Sequence, residues 1–240
     1  MIELKNTGFL KSSIEAISSF IPEGNLRFNE KGLHFRAIDP SQIVLVDYLV
    51  DKNVFDSFDI EPAFVGVNLA ELNKIVSRAI QNDTIKIDLS DSELKLDFIG
   101  ELKRSFKLPL IDVSEEELKL PDAKHDAKVE INSKLFKEAL KDASLFSSSI
   151  ILKVQGKNFF MESKGTAGNS QANSTNGKQV KVISSADVVS KYSLSYLQNI
   201  VKEANPDENI VLELKSDAPM KITYNIGKSE IRFFLAHMLL

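Results

Sequence analysis

The chain has 240 residues, 30 of them basic and 34 acidic, for a net charge of −4, with 43% hydrophobic and 27% charged residues. That balance describes a folded chain of one large or two ordinary domains and excludes a disordered or fibrous one. The absence of cysteine excludes disulfides, thiolate nucleophiles and cysteine-held metals, and no stretch reaches the length of a membrane span.

The chain opens with Met1-Ile2-Glu3-Leu4-Lys5, which lacks the basic start and apolar run of a secretory leader. A strand over 2–5 leads to a helix whose Leu10, Ile14, Ile17 and Ile21 form one apolar stripe, with Thr7 as N-cap and Pro22 closing it. Strands follow over 26–29, 33–38 and 43–50, turned by Glu30-Lys31-Gly32 and by Asp39-Pro40-Ser41. A second helix places Leu69, Leu72, Ile75, Val76 and Ala79 on one face, and strands over 84–89, 94–99 and 102–108 complete the half.

Segment 109–127 is acidic and bounded by Pro109 and Pro121, yet keeps Leu118 and Leu120, so it reads as an extended connector laid over a surface. The order then restarts. A strand over 128–132 leads to a helix capped by Ser133, with Leu135, Phe136, Ala139, Leu140 and Ala143 inward. A hairpin over 150–154 and 158–162 turns through Gly156-Lys157; a fourth helix closes near Asn205-Pro206, and strands over 209–214, 220–225 and 230–235 finish the chain. The small, polar run 165–177 is either a loop or a weak edge strand.

One phrase occurs twice. Val67-Asn68-Leu69-Ala70-Glu71-Leu72-Asn73-Lys74-Ile75-Val76 is echoed by Tyr192-Ser193-Leu194-Ser195-Tyr196-Leu197-Gln198-Asn199-Ile200-Val201, in phase with the restarted element order. An internal repeat of this size means duplication. The fold class is therefore α+β, with two similar domains over 1–108 and 128–240 joined by 109–127, each a doubled strand–helix–three-strand unit.

Catalytic patterns are missing. His34, His125 and His237 have no metal-ligand spacing, and no nucleophile elbow occurs. Asn176-Gly177-Lys178-Gln179 lacks the earlier glycine and the final Ser or Thr of a phosphate loop. Glu115-Glu116-Glu117 reads as a solvated run in a linker rather than a cation site. No enzyme activity, cofactor or metal is expected. The helices carry more signal: opposite the apolar stripes lie Lys11, Lys74, Arg78, Lys134, Lys137, Lys141 and Lys202. Lys74 with Arg78 and Lys137 with Lys141 are i, i+4 neighbours, and Lys11 and Lys137 hold equivalent places in the two halves. Ordinary solvation is the competing reading, because Glu15, Glu71, Glu138, Asp142 and Glu203 share these helices. If the helices faced one cavity, the basic groups would focus a positive field there despite the acidic total.

Several ordered segments carry a family resemblance. Gly32-Leu33-His34-Phe35-Arg36-Ala37-Ile38-Asp39-Pro40-Ser41-Gln42-Ile43-Val44-Leu45-Val46 resembles the signature segment of the proliferating cell nuclear antigen family of DNA sliding clamps. Leu108-Pro109-Leu110-Ile111-Asp112, followed by Leu118-Lys119-Leu120-Pro121, resembles its interdomain connector. Ala218-Pro219-Met220-Lys221-Ile222 and Phe233-Phe234-Leu235-Ala236 resemble its C-terminal strands. Short length and lack of cysteine lean towards an archaeal member.

The resemblance implies a three-subunit ring with outer antiparallel sheets and helices lining an inner face. It implies that the ring encircles double-stranded DNA, tethers DNA polymerase, flap endonuclease and DNA ligase, and is opened by a clamp loader. Its subunits would be copies of this chain or paralogous clamp chains, at work in the cytoplasm with the nucleoid. Matching the family's hole-lining positions are Lys11, Lys74, Lys141 and Lys202; helix geometry adds Arg78, Lys134 and Lys137. Matching its partner-peptide pocket are Ile38, Gln42, Ile43, Leu118, Leu120, Pro121, Pro219, Phe234 and Ala236, although Ile38, Ile43 and Phe234 also suit plain sheet core. His237, where the family usually has proline, and Gln42 depart from its pattern. Stretches 103–109 and 169–175 match the subunit edges, and the second is so poor in large apolar groups that a labile homotrimer or a place in a heterotrimer is expected. The alternative reading is a peptide-binding scaffold that never encircles DNA.

Overall fold

The computed structural model describes residues 1–114, 118–121 and 124–240; the run Glu115, Glu116 and Glu117, weighed above as a cation site, lies outside them. The first half contains β1 (Ile2–Leu4), α1 (Thr7–Ser18), β2 (Glu23–Asn29), β3 (Gly32–Ile38), β4 (Val44–Asp51), β5 (Ser57–Phe58), β6 (Ala63–Asn68), α2 (Leu69–Val76), β7 (Thr84–Leu89), β8 (Glu93–Ile99) and β9 (Arg104–Pro109). The second contains β10 (Ala127–Asn132), α3 (Ser133–Ser144), β11 (Ser149–Gln155), β12 (Asn158–Gly165), β13 (Gly168–Thr175), β14 (Val180–Ser184), β15 (Val188–Ser193), α4 (Leu194–Val201), β16 (Asn209–Leu214), β17 (Met220–Ile226) and β18 (Ser229–Leu235). Apart from β5, β14 and one short 3₁₀ turn, this is strand–helix–three-strand four times over, the order the sequence repeat implies.

Two compact units result. Unit 1 comprises Met1–Pro40, Val46–Leu118 and Ile226–Ile231; unit 2 comprises Ser41–Leu45, Lys119–Asn225 and Arg232–Leu240. In unit 1 the antiparallel order β5-β1-β7-β8-β9 forms one sheet, and β2 pairs with β3 and β6 in another. In unit 2 the order β13-β12-β11-β15 forms one sheet, and β10 pairs with β14 and β16, which pairs with β17. Helices α1 and α2 pack together in unit 1, as α3 and α4 do in unit 2.

The buried helical faces follow the apolar period. Leu10, Ile14, Ile17 and Ile21 are all buried, as are Leu69, Leu72, Val76 and Ala79. On α3 the buried face is Phe136, Leu140 and Ala143; Ala139 is half-buried, and Leu135, expected inward, is 41% exposed. The spacing 136, 140, 143 sets the inner stripe, and Leu135 stands about 100° away from Phe136 around the helix. The caps also differ from expectation. Asn6, not Thr7, caps α1, its side chain accepting from the Phe9 amide at 3.0 Å, and α1 ends at Ser18, before Pro22. Asn132, not Ser133, caps α3, accepting from the amides of Lys134 and Leu135. In both cases the residue just upstream is an asparagine, whose longer side chain reaches into the first turn while the expected cap joins the helix.

The polar run left open in the sequence is a strand. Eight residue pairs, from Asn158 with Thr175 to Gly165 with Gly168, join β13 to β12, so backbone pairing decides what side-chain patterning does not. At the β2–β3 turn Gly32 has φ +139, and a Cβ there would lie 2.1 Å from the Val50 carbonyl oxygen. We expect Gly32→Ala to lower unfolding free energy by about 1–3 kcal/mol in urea titration, with the denaturant slope unchanged.

Candidate functional site

The basic residues predicted on the helices fall into two groups. Lys11 of α1 donates to the carbonyl oxygen of Ala79, just past α2, and Lys137 of α3 donates to Lys202 O at 2.9 Å and Ala204 O at 2.6 Å, just past α4. Ala79 and Ala204 each stand three residues past the end of the repeated phrase. The two lysines therefore do the same work in each unit: they cap the open carbonyls at the end of the neighbouring helix, where a cation is favoured. Burial pushes the Lys137 ammonium pKa down, with Glu203 opposing and Lys141 adding to the shift. An ammonium has three donors, so each lysine still has N–H capacity beyond these carbonyls.

The second group points to water. Lys74 is 71% exposed and pairs with Glu71 at 2.6 Å; Lys141 is 66% exposed and pairs with Glu138 at 2.7 Å. Such surface pairs contribute little, so either lysine can exchange its carboxylate for a stronger anion. Arg78, Lys134 and Lys202 are exposed as well. Among the described residues no group of His, Asp and Glu is placed to hold a metal ion.

The residues expected in the partner pocket are distributed as follows. In unit 1, Ile38 is 37% exposed at the end of β3, which removes it from the sheet core, and Leu118 is half-buried. In unit 2, Gln42 is exposed with φ 58, Ile43 is half-buried, and the Ala236 amide donates to the Ile43 carbonyl at 2.9 Å. Leu120, Pro219 and Ala236 are half-buried, Pro121 is exposed, and Phe234, 7% exposed, belongs to the buried core, as its alternative reading had it. Beneath Leu118 lies a polar cluster that the sequence does not announce. Asp47, 1% exposed, accepts from His34 Nε2 and from Arg36 Nε, both at 2.8 Å, and Arg36 Nη1 donates to the Leu118 carbonyl at 3.1 Å. Burial pushes the Asp47 carboxyl up, but the bonds from His34 and Arg36 outweigh it and leave the pKa below 3.8.

Each unit ends in a strand with one unpaired side among the described residues: β9 in unit 1 and β13 in unit 2. Next to β9, Ile80 and Leu102 are 58% and 68% exposed, and Arg104 both pairs with Asp83 and donates to the Arg78 carbonyl at 2.8 Å. Beside β13 lies a cavity of about 230 Å³ lined by Ile131, Leu135, Ala139, Phe159, Met161, Ala172 and Val180. The strand itself is polar, as expected, but the apolar area next to it is larger than its own letters suggest.

The comparisons with known proteins agree with this architecture. Residues 1–127 match the model of the proliferating cell nuclear antigen N-terminal domain, and residues 119–238 match that of its C-terminal domain. The chain belongs to the proliferating cell nuclear antigen family. It is 32% identical over 228 residues to DNA polymerase sliding clamp 1 of Thermococcus kodakarensis, covering 93% of this chain and 92% of that one. It is also 32% identical over 238 residues to the DNA polymerase sliding clamp of Methanococcus vannielii, covering 96% of each. A crystal structure of the antigen from Thermococcus kodakaraensis superposes with a TM-score of 0.93 at 23% identity over 99% of both chains. The family is one of DNA polymerase sliding clamps, non-catalytic processivity factors of replication.

Two roles in this chain escape sequence reading. The partners of Lys11 and Lys137 are main-chain carbonyls 65 or more residues away, and Arg36 meets a carbonyl 82 residues on. Only the equivalence of Lys11 and Lys137 in the repeat hints at a shared task. We expect Lys137→Met to lower unfolding free energy by about 1 kcal/mol, and Lys134→Met to change it by less than about 0.5 kcal/mol, in parallel urea titrations. Asp47 makes a pH prediction. Its folded pKa is depressed, so its stabilisation is complete above 3.8 and is lost as pH falls through the folded value. Asp47→Asn is therefore less stable than the parent at neutral pH, and the two melting curves converge in acid.

Proposed function

We propose that this chain forms one third of a ring that encircles duplex DNA and tethers replication and repair enzymes to it. The supporting observation is the presence of basic side chains on, or just past, all four equivalent helices of a chain with net charge −4, with no catalytic constellation for them to serve. Lys74, Arg78, Lys134, Lys141 and Lys202 would meet phosphates, while Lys11 and Lys137 add field from their capping positions. Phosphate contacts carry no sequence information and weaken with salt, which suits a ring that moves along its track. The domains over 1–108 and 128–240 would each contribute two helices, with the work carried out in the cytoplasm at the nucleoid. A clamp loader would open the ring, and DNA polymerase, flap endonuclease and DNA ligase would share it.

The decisive measurement is retention on closed circular DNA against the same DNA linearised. Retention on the circle and release on linearisation is expected; equal retention on both overturns encirclement. It would favour a plain scaffold instead, a reading that gains some weight from the carboxylate partners of Lys74 and Lys141.

Partner enzymes would dock through a helical-turn peptide with aromatic anchors on Ile43, Leu120, Pro121, Pro219, Phe234 and Ala236 of unit 2. Leu120→Ala combined with Phe234→Ala should cost about 2–5 kcal/mol of contact and abolish binding of a fluorescent peptide of that kind. Undiminished peptide affinity would show that the site lies elsewhere. For assembly, the unpaired edges β9 and β13 would join head to tail, and the polar letters of β13 favour a labile homotrimer or a mixed ring with paralogous chains. Light scattering should show the pure protein dissociating on dilution through the micromolar range; a trimer that persists at nanomolar concentration overturns weak self-association.

A further inference from the structure

The segment that leaves β9 is held to unit 1 by its main chain. The Leu110 amide donates to Ser92 O at 2.9 Å, and the Ile111 amide donates to Gly66 O at 3.0 Å, forming an isolated antiparallel bridge with β6. Asn25 of β2, the register partner of Gly66, extends its side-chain amide towards the carbonyls of Val113 and Ser114 at 3.4 and 3.3 Å. Arg36 of β3, next to the Phe35 that pairs with Leu26, donates to the Leu118 carbonyl at 3.1 Å. The anchors come from β6, β2 and β3 in the order in which those strands lie side by side, and each holds the segment further along its length.

Two details show that this track is built rather than incidental. A Cβ on Gly66 would lie 2.1 Å from the Ile111 carbonyl oxygen and 2.9 Å from Val113 Cγ2, so only glycine lets the segment lie this close to β6. Arg36 cannot swing away freely, because its Nε is tied at 2.8 Å to the buried Asp47 carboxylate, which His34 also holds. A guanidinium can serve the carboxylate and the carbonyl at once through separate N–H groups, which a lysine ammonium on a flexible stem does less well.

We propose that Gly66, Asn25 and Arg36 form a track that fixes the connector by its main chain, and that Arg36 is thereby a positioning residue for partner peptides docking at Leu120. The inference rests on the peptide site proposed above. Holding the main chain at 110–114 and at Leu118 presents the half-buried Leu118 side chain beside Leu120 already ordered, so the peptide does not have to organise its own site on arrival.

The test exploits the absence of cysteine: Lys119→Cys supplies a single thiol for a nitroxide on the exposed residue next to Leu118. In the full chain, Arg36→Gln and, separately, Gly66→Ala should raise the mobility of that label in the electron paramagnetic resonance spectrum. Each should weaken binding of the aromatic-anchored peptide roughly tenfold, mainly through faster dissociation. Arg36→Lys should recover part of the affinity. If Arg36→Gln fails to fold because Asp47 loses its guanidinium, Gly66→Ala leaves that carboxylate untouched and carries the test. An unchanged label spectrum in both variants overturns the track; a mobile label with unchanged affinity overturns the positioning role. Retained affinity in the Leu120→Ala, Phe234→Ala protein would instead overturn the docking site on which the inference depends.

Discussion

Four amphipathic helices, two of 12 residues and two of 8, cannot stay formed in water alone, and their pairing inside each unit is what the other features depend on. Each buries one stripe, and each pair leaves carbonyls open at the end of its second helix. The lysine at position 11 or 137 closes that end by reaching across from the first helix. The other polar contacts between the helices have been rebuilt differently. Asn73 donates to Glu15 at 2.6 Å in unit 1, whereas Gln198 reaches the Leu140 carbonyl at 3.4 Å in unit 2. Duplication has thus kept the apolar letters and the capping cation and released the rest.

That arrangement explains how an acidic chain belongs to a family of DNA clamps. The helices are held by their inner faces and ends, so the outer residues are free to vary without loss of packing. The exposed lysines Lys74 and Lys141 each keep a carboxylate partner one turn away, a surface pair that adds little to stability. Acidic residues are spread over strands, turns, the connector and the helices themselves, where Glu15, Glu71, Glu138 and Asp142 stand among the lysines.

Much of the fold was legible because it rests on periodicity. The stripe through Leu10, Ile14, Ile17 and Ile21 and the hairpin through Gly156-Lys157 are local patterns, and the duplicated phrase locks the two halves in register. What local pattern does not decide is of other kinds. Asn6 and Asn132 each precede a plausible Thr or Ser cap, and composition alone does not choose between neighbours. Leu135 is apolar but lies off the stripe that Phe136 and Leu140 define. The strand β13 has no apolar alternation to read, since its order comes from pairing with β12. In the candidate site, apolar positions were visible as sequence, but a bond from Arg36 to a carbonyl has no letter at its far end and was invisible.

Gly66 has an evolutionary consequence. It allows the Ile111 carbonyl to rest against bare backbone, so strand and connector fit as a pair although they lie 45 positions apart. A relative that acquires any side chain at this position must also reroute or lengthen its connector. Insertions there should therefore co-vary with replacement of this glycine on β6, and the pair would mark relatives whose connector runs along a different line over the sheet.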